Sequence, residues 1–161
     1  MFDAVMVMGV SGCGKTTVGK KIAHICGGTF LDGDDFHPPE NVAHMRSGKP
    51  LTDAMRWPWL DRLAAAVNSE RRYELTIFAC SALRKAYRDH LRSAIGDLRV
   101  VYLDAPQDLI VSRVTQRSGH FMPVSLVRSQ FATLEPPKDV YARIDMRLPP
   151  KTIAEKLEEI F

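Results

Sequence analysis

One stretch constrains this chain more than any other: "VMVMGVSGCGKTT", residues 5–17, sets Gly9, Gly12, Gly14, Lys15 and Thr16 in the pattern GxxxxGK[ST] between an apolar run and a helical pattern. A strand that passes through such a loop straight into a helix turns consecutive backbone amides toward one point. The loop becomes an anion nest, and the helix N-terminus adds partial positive charge. Lys15 can then reach the outer phosphates of a nucleotide, while the Thr16 hydroxyl faces a magnesium ion. Ser11, Cys13 and Thr17 complete the loop, so that Gly9, Ser11, Gly12, Cys13, Gly14, Lys15, Thr16 and Thr17 form the expected triphosphate site. This arrangement belongs to a parallel sheet, because ligands of open α/β sheets sit outside the carboxyl ends of the strands.

The rest of the chain carries the matching alternation. Strands are expected at 4–8, 29–31, 75–80, 99–103 and 142–145. Helices are expected at about 15–26, 39–47, 57–69, 82–93, 106–117, 124–134 and 150–160. The expectation is one α/β domain over 1–161 with a central five-stranded parallel sheet. At 161 residues the chain can bury a core without staples, and its 45% apolar content is ordinary for a soluble protein. No apolar run approaches the roughly 20 residues that span a bilayer, and the N-terminal run carries Asp3, unlike a signal peptide; the cytoplasm is the expected compartment. The three cysteines, Cys13, Cys26 and Cys80, match neither a disulfide framework nor a zinc site. Cys13 lies where positive charge could activate a thiol, but a small loop residue is the simpler reading. A formal charge of +3, with no aromatic-interleaved basic tract, suits small anions and gives no support for a nucleic-acid partner. "CGGTF" at 26–30 reads as a helix stop.

The loop alone leaves the reaction open. No NKxD element is present to read guanine, and "VVYLD", which ends in Asp104, belongs to the fourth strand; Asp104 is read as a strand-end or capping residue. A second acidic cluster is more informative. "FLDGDDFHP", residues 30–38, follows the second strand and should share the crevice of the phosphate loop. Asp32 and Asp34 alternate on what reads as an extended segment, so their side chains would share a face, one toward metal waters and one toward an acceptor hydroxyl. Asp35 would point away and cap the next turn.

With these residues goes a wider pattern: "MGVSGCGKTTVG", "FLDGDDFHPPENVAHMRSGKPLTD", "RWPWL", "CSALRKAYRDHLR", "VYLD", "SRVTQRSGHFMP" and "SQFATLEPP". In order and spacing they resemble the gluconate kinases, small relatives of the shikimate kinases among the P-loop kinases. The resemblance covers nearly the whole chain. It implies a three-layer α/β/α P-loop kinase fold with a mobile lid at about 117–130, and transfer of the ATP γ-phosphoryl group to the 6-hydroxyl of D-gluconate. By that resemblance Asp34 orients or deprotonates the hydroxyl, and Asp32 joins Thr16 in holding Mg2+. Arg56 and Arg88 bind the carboxylate, for which planar guanidinium groups are suited, and His37 and Ser81 bind hydroxyls. Arg88 could instead lie on a solvated helix face. Arg117 places charge on the transferring phosphate, Arg113 stacks on adenine, and His120 either joins them or packs beside Phe121. The family also implies a homodimer. Ala54, Met55 and His44 depart from its usual pattern, on the substrate side. Trp57 and Trp59 read as core or hinge packing. Two alternatives stay open at this point: another P-loop kinase such as shikimate kinase, against which Cys80-Ser81-Ala82 stands where that family has a glycine triplet, or an ATP-binding module without catalysis.

Overall fold

Strands β1 (Ala4–Met8), β2 (Thr29–Asp32), β3 (Thr76–Ala79), β4 (Leu98–Asp104) and β5 (Ala142–Asp145) pair in parallel in the order β2-β3-β1-β4-β5. The structure, a computed structural model, describes residues 3–116 and 123–161. Helices α1 (Lys15–Cys26), α2 (Pro39–Arg46), α3 (Asp53–Glu70), α4 (Lys85–Ile95), α5 (Gln107–Gln116), α6 (Val124–Thr133) and α7 (Pro150–Ile160) cover both faces of the sheet. This is the three-layer α/β/α arrangement expected from the alternation of elements.

Both faces of β1 are buried, so it has no polar side, as a central parallel strand requires. Its side chains alternate between two cores. Val5 and Val7 join Val18 and Ile22 of α1, Ile110 and Val114 of α5, Leu126 and Val127 of α6, and Ile153 and Leu157 of α7. Ala4, Met6 and Met8 join Leu60, Leu63 and Val67 of α3 and Tyr87 and Leu91 of α4. Because β1 lies between β3 and β4, the loop that follows it opens at the middle of the sheet's carboxyl edge. Among the described residues no helix is long and apolar enough to cross a membrane.

Three differences from the sequence expectation bear on the site. α3 begins at Asp53, four residues before Trp57, since the Thr52 hydroxyl accepts the Met55 N–H and caps the helix at that point. Pro58 therefore lies inside the helix rather than near its start, at the cost of one backbone hydrogen bond. α4 starts at Lys85 and not near Ala82, because Ala82 takes a left-handed conformation, φ 44°, that breaks the helical path. β2 runs on to Asp32 and passes into a 3-10 turn, Gly33–Phe36. Gly27 does end α1 in the left-handed conformation, as "CGGTF" implied.

Candidate active site

The phosphate loop leaves β1 at Gly9 and enters α1 at Lys15. Gly14 has φ 106°, a conformation that a residue with a Cβ rarely adopts, and it turns the chain into the helix. The Lys15 ammonium donates to the Val10 carbonyl at 3.0 Å, which holds the side chain across the loop. Cys13 is fully buried beneath it, and burial raises its thiol pKa despite the nearby Lys15 charge. Burial likewise pushes the Cys80 thiol up to about 12. Both act as small apolar groups, and Cys26 is half-buried.

Asp32 and Asp34 meet the loop by a geometry other than the shared strand face. Asp32 ends β2, and its Oδ1 accepts the Asp34 N–H at 3.0 Å, so that Asp32, not Asp35, caps the 3-10 turn. Its Oδ2 accepts the Thr16 hydroxyl at 3.2 Å. One carboxylate thus ties β2 to the first turn of α1 and sets two hard oxygens side by side. Among the described residues no cluster of three or more histidines, cysteines or carboxylates could hold a metal alone. A pair of oxygens fits magnesium, which keeps its waters and binds chiefly through phosphates.

The turn that carries Asp34 is pinned from below. A Cβ at Gly33 would lie 2.2 Å from the Ala79 carbonyl oxygen, so only glycine lets the turn rest on β3. Trp59 Nε1 donates to the Gly33 carbonyl at 2.8 Å, and the indole stacks on the His37 ring at 4.1 Å between centroids. The partners of Asn41 define the His37 tautomer. The Asn41 amide nitrogen donates to the Met55 carbonyl at 3.0 Å and lies 3.3 Å from His37 Nδ1, which must then accept. Nε2–H is left facing Asp34 Oδ1 at 3.7 Å. His37 holds the Asp34 carboxyl below its ordinary value; partial desolvation opposes this, and the Lys15 charge adds to it.

Asp34 opens onto a concave space that is also lined by Ser11, Lys15, His37, Arg56, Trp59 and Ser81. Arg56 reaches it from α3. Its Nη1 donates to the Tyr87 hydroxyl at 2.9 Å and lies 3.5 Å from Asp53, to which Tyr87 donates at 2.6 Å. The guanidinium is therefore held in place before any ligand arrives. On the other side of the loop a second hollow is lined by Gly12, Cys13, Gly14, Thr17, Arg113 and Met146, with Leu148 and Pro150 at the start of α7. Arg113 donates to the Met146 carbonyl at 3.4 Å. Its shape and position suit a nucleoside whose phosphates enter the loop.

The structure thus brings together Lys15, Asp34, His37, Arg56 and Ser81, with Thr16 and Asp32 beside them. It does not bring in Arg88. That side chain is neither in the cavity nor on a solvated face: it is 4% exposed and donates to the carbonyls of Ala82, Leu83 and Glu135 at 2.8, 3.1 and 3.0 Å. Burial lowers its pKa from the ordinary arginine value. Arg88 fastens the left-handed kink at Ala82 and so holds the loop that presents Ser81. Asp104 pairs with Arg143 at the ends of β4 and β5, the strand-end role expected of it. Arg117 and His120 lie outside the described residues, as does the first part of the expected lid; its later part, Val124–Gln130, is the start of α6, whose Leu126 and Val127 are buried in the core.

The sequence reading missed Trp59 and the α6 side chains Ser129, Gln130 and Thr133, all of which line the cavity. Trp59 is packed in the core, as its sequence context suggests, and also lines the cavity. The α6 residues were in view in "SQFATLEPP", where polar groups at i, i+1 and i+4 beside Leu126 mark a helix face turned to a polar site.

The chain is similar to known proteins over most of its length. A family model described as an AAA domain matches residues 5–137. The chain is similar to the thermosensitive gluconokinase of Escherichia coli K12, 43% identical over 137 residues, covering 84% of this chain and 73% of the relative. It is also similar to the gluconokinase of Gluconobacter oxydans 621H, 46% identical over 139 residues, covering 84% and 76%. The crystal structure of a gluconokinase from Sinorhizobium meliloti 1021 superposes with a TM-score of 0.87 at 41% identity, over 98% of this chain and 90% of that one.

Proposed function

The chain belongs to the gluconokinase family of P-loop kinases, and from that premise we propose that it transfers the γ-phosphoryl group of ATP to the 6-hydroxyl of D-gluconate, giving 6-phosphogluconate and ADP. One observation carries the reading. A phosphate loop, an open carboxylate with a histidine at its side, and a pre-set arginine face the same cavity. A sugar acid has a carboxylate at one end and a primary hydroxyl at the other, the two groups that Arg56 and Asp34 would take.

In the reaction Asp34 orients the 6-hydroxyl and accepts its proton as the new phosphorus–oxygen bond forms and the bond to the ADP oxygen breaks. Asp34 is a carboxylate at neutral pH, and the His37 contact that lowers its pKa suits it to orient the hydroxyl and to take the proton late, as the new bond forms. Lys15 neutralises charge on the transferring group. Magnesium held by Thr16 and, through water, by Asp32 would screen the outer phosphates. Arg113 is proposed to stack on adenine and Arg117 to add charge to the transferring phosphate. His37 and Ser81 are proposed to bind sugar hydroxyls, and a lid at about 117–130 to exclude water. Arg88 is left out of the substrate set. On family resemblance alone the proposal extends to a cytoplasmic homodimer, which light scattering of the purified chain tests for assembly.

Shikimate kinase and a non-catalytic module are not favoured. The relatives at 43% and 46% identity are gluconokinases, and a module that only binds ATP has no use for Asp34. The test is ADP release with magnesium-ATP and a panel of D-gluconate, shikimate and other sugar acids. Release stimulated by gluconate above all others is expected. Equal release without any acceptor would overturn the kinase reading.

A further inference from the structure

The Gln130 side chain hydrogen-bonds α6 to the phosphate loop. Gln130 Oε1 accepts the Ser11 N–H at 2.7 Å, and Gln130 Nε2 donates to Ser11 Oγ at 3.0 Å. Ser11 belongs to the phosphate loop and lines the cavity shared by Lys15 and Asp34, with Gln130 itself on the same wall. Gln130 therefore holds a donor that a phosphate oxygen would also seek. It lines the acceptor cavity as well, with Ser129 and Thr133 from the same helix.

One amide N–H makes one good hydrogen bond, so the carboxamide oxygen and an incoming phosphate compete for it. The phosphate wins, since a hydrogen bond to a charged acceptor is about twice as strong as one to a neutral acceptor. The carboxamide oxygen then loses its partner beside the acceptor cavity, and Nε2 has a second N–H to offer besides the one given to Ser11 Oγ. A sugar acid, with its row of hydroxyls, can satisfy both. We propose that Gln130 is a positioning residue that couples the two substrates: it holds the Ser11 amide until the nucleotide takes it, and then turns to a hydroxyl of the acceptor. This rests on the gluconate reading above for its second half only.

Such a coupling has a signature that a merely structural role lacks, because the two substrates respond to its loss with opposite sign. The experiment is calorimetric titration of the full chain with magnesium and a non-hydrolysable ATP analogue, and with D-gluconate before and after the analogue is bound. In the wild type, gluconate binding should tighten about tenfold once the nucleotide is in place, a typical coupling between linked sites. In Gln130→Met the nucleotide should bind about threefold tighter, because no internal hydrogen bond has to be given up. The nucleotide should then no longer help gluconate. Gln130→Glu keeps an acceptor for the Ser11 N–H but sets a negative charge against the phosphates, so its nucleotide affinity should fall; it also serves if the Met variant does not fold. Parallel weakening of both ligands in Gln130→Met, no change in either, or a change in one alone overturns the proposal. The nucleotide titration needs no acceptor, and wild-type ADP release reports separately on gluconate, so the two readings fail independently.

Discussion

The nucleotide side and the acceptor side of this crevice are built by opposite means. The phosphate loop is eight consecutive residues, Gly9 to Thr16, and its chemistry is mostly backbone amides and one helix end. On the acceptor side, Asp34 comes from the turn after β2, Arg56 and Trp59 from α3, Ser81 from the loop after β3, and Ser129, Gln130 and Thr133 from α6. Some of these depend on residues outside the cavity lining: Tyr87 holds Arg56, Asn41 holds the His37 ring beside Asp34, and Arg88 holds the loop of Ser81. A contiguous site fails as a unit. A dispersed one fails by degrees, according to whether a substitution removes a reacting group, a binding group or a support.

Lys15→Ala tests the first half of this contrast and has the largest expected effect. Turnover should fall about 10³-fold with every acceptor, the upper range for loss of one donor to developing charge, in steady-state assays. A loss confined to one acceptor would break the contrast. Next comes Asp34→Asn, with turnover down about 10²-fold and the affinity for a non-hydrolysable ATP analogue unchanged in calorimetry. Arg56→Lys removes the planar donor pair. It should raise the KM for gluconate about 30-fold, the value of a hydrogen bond to a charged group, with kcat nearly intact.

Arg88→Gln should change the kinetics least. Three carbonyls lose their donor and the Ala82 kink its fastening, so the cost falls on stability, about 3 kcal/mol and thus roughly 6–12 °C in melting temperature for a domain of this size. A KM rise for gluconate without a change in melting temperature would return Arg88 to the substrate set.

The same division explains what could be read in the sequence. The loop was legible because its spacing is its geometry, and the sheet because β1, β3 and β4 are apolar runs set between helical periods. Asp32 and Asp34 were legible as a pair but not in their geometry, since Gly33 folds them into a 3-10 turn by resting on Ala79, a contact across 46 residues of sequence. The surroundings of Arg88 were not legible for a related reason. Nothing in "KAYRDHLR" shows that Ala82 turns left-handed or that Glu135 lies nearby, and those two facts bury the guanidinium. Gln130 was hidden because its partner, Ser11, lies 119 residues away. Side chains whose role is set by partners distant in the chain leave no local signature.

Arg56 and Asp34 line one cavity, and the roles proposed for them make a claim about which end of the acceptor reacts. Phosphorus–proton correlation NMR of the product formed from magnesium-ATP and D-gluconate reads that directly. Coupling of the new phosphorus to the two C6 protons is the predicted result. Phosphate at any other carbon, or inorganic phosphate alone, would contradict it.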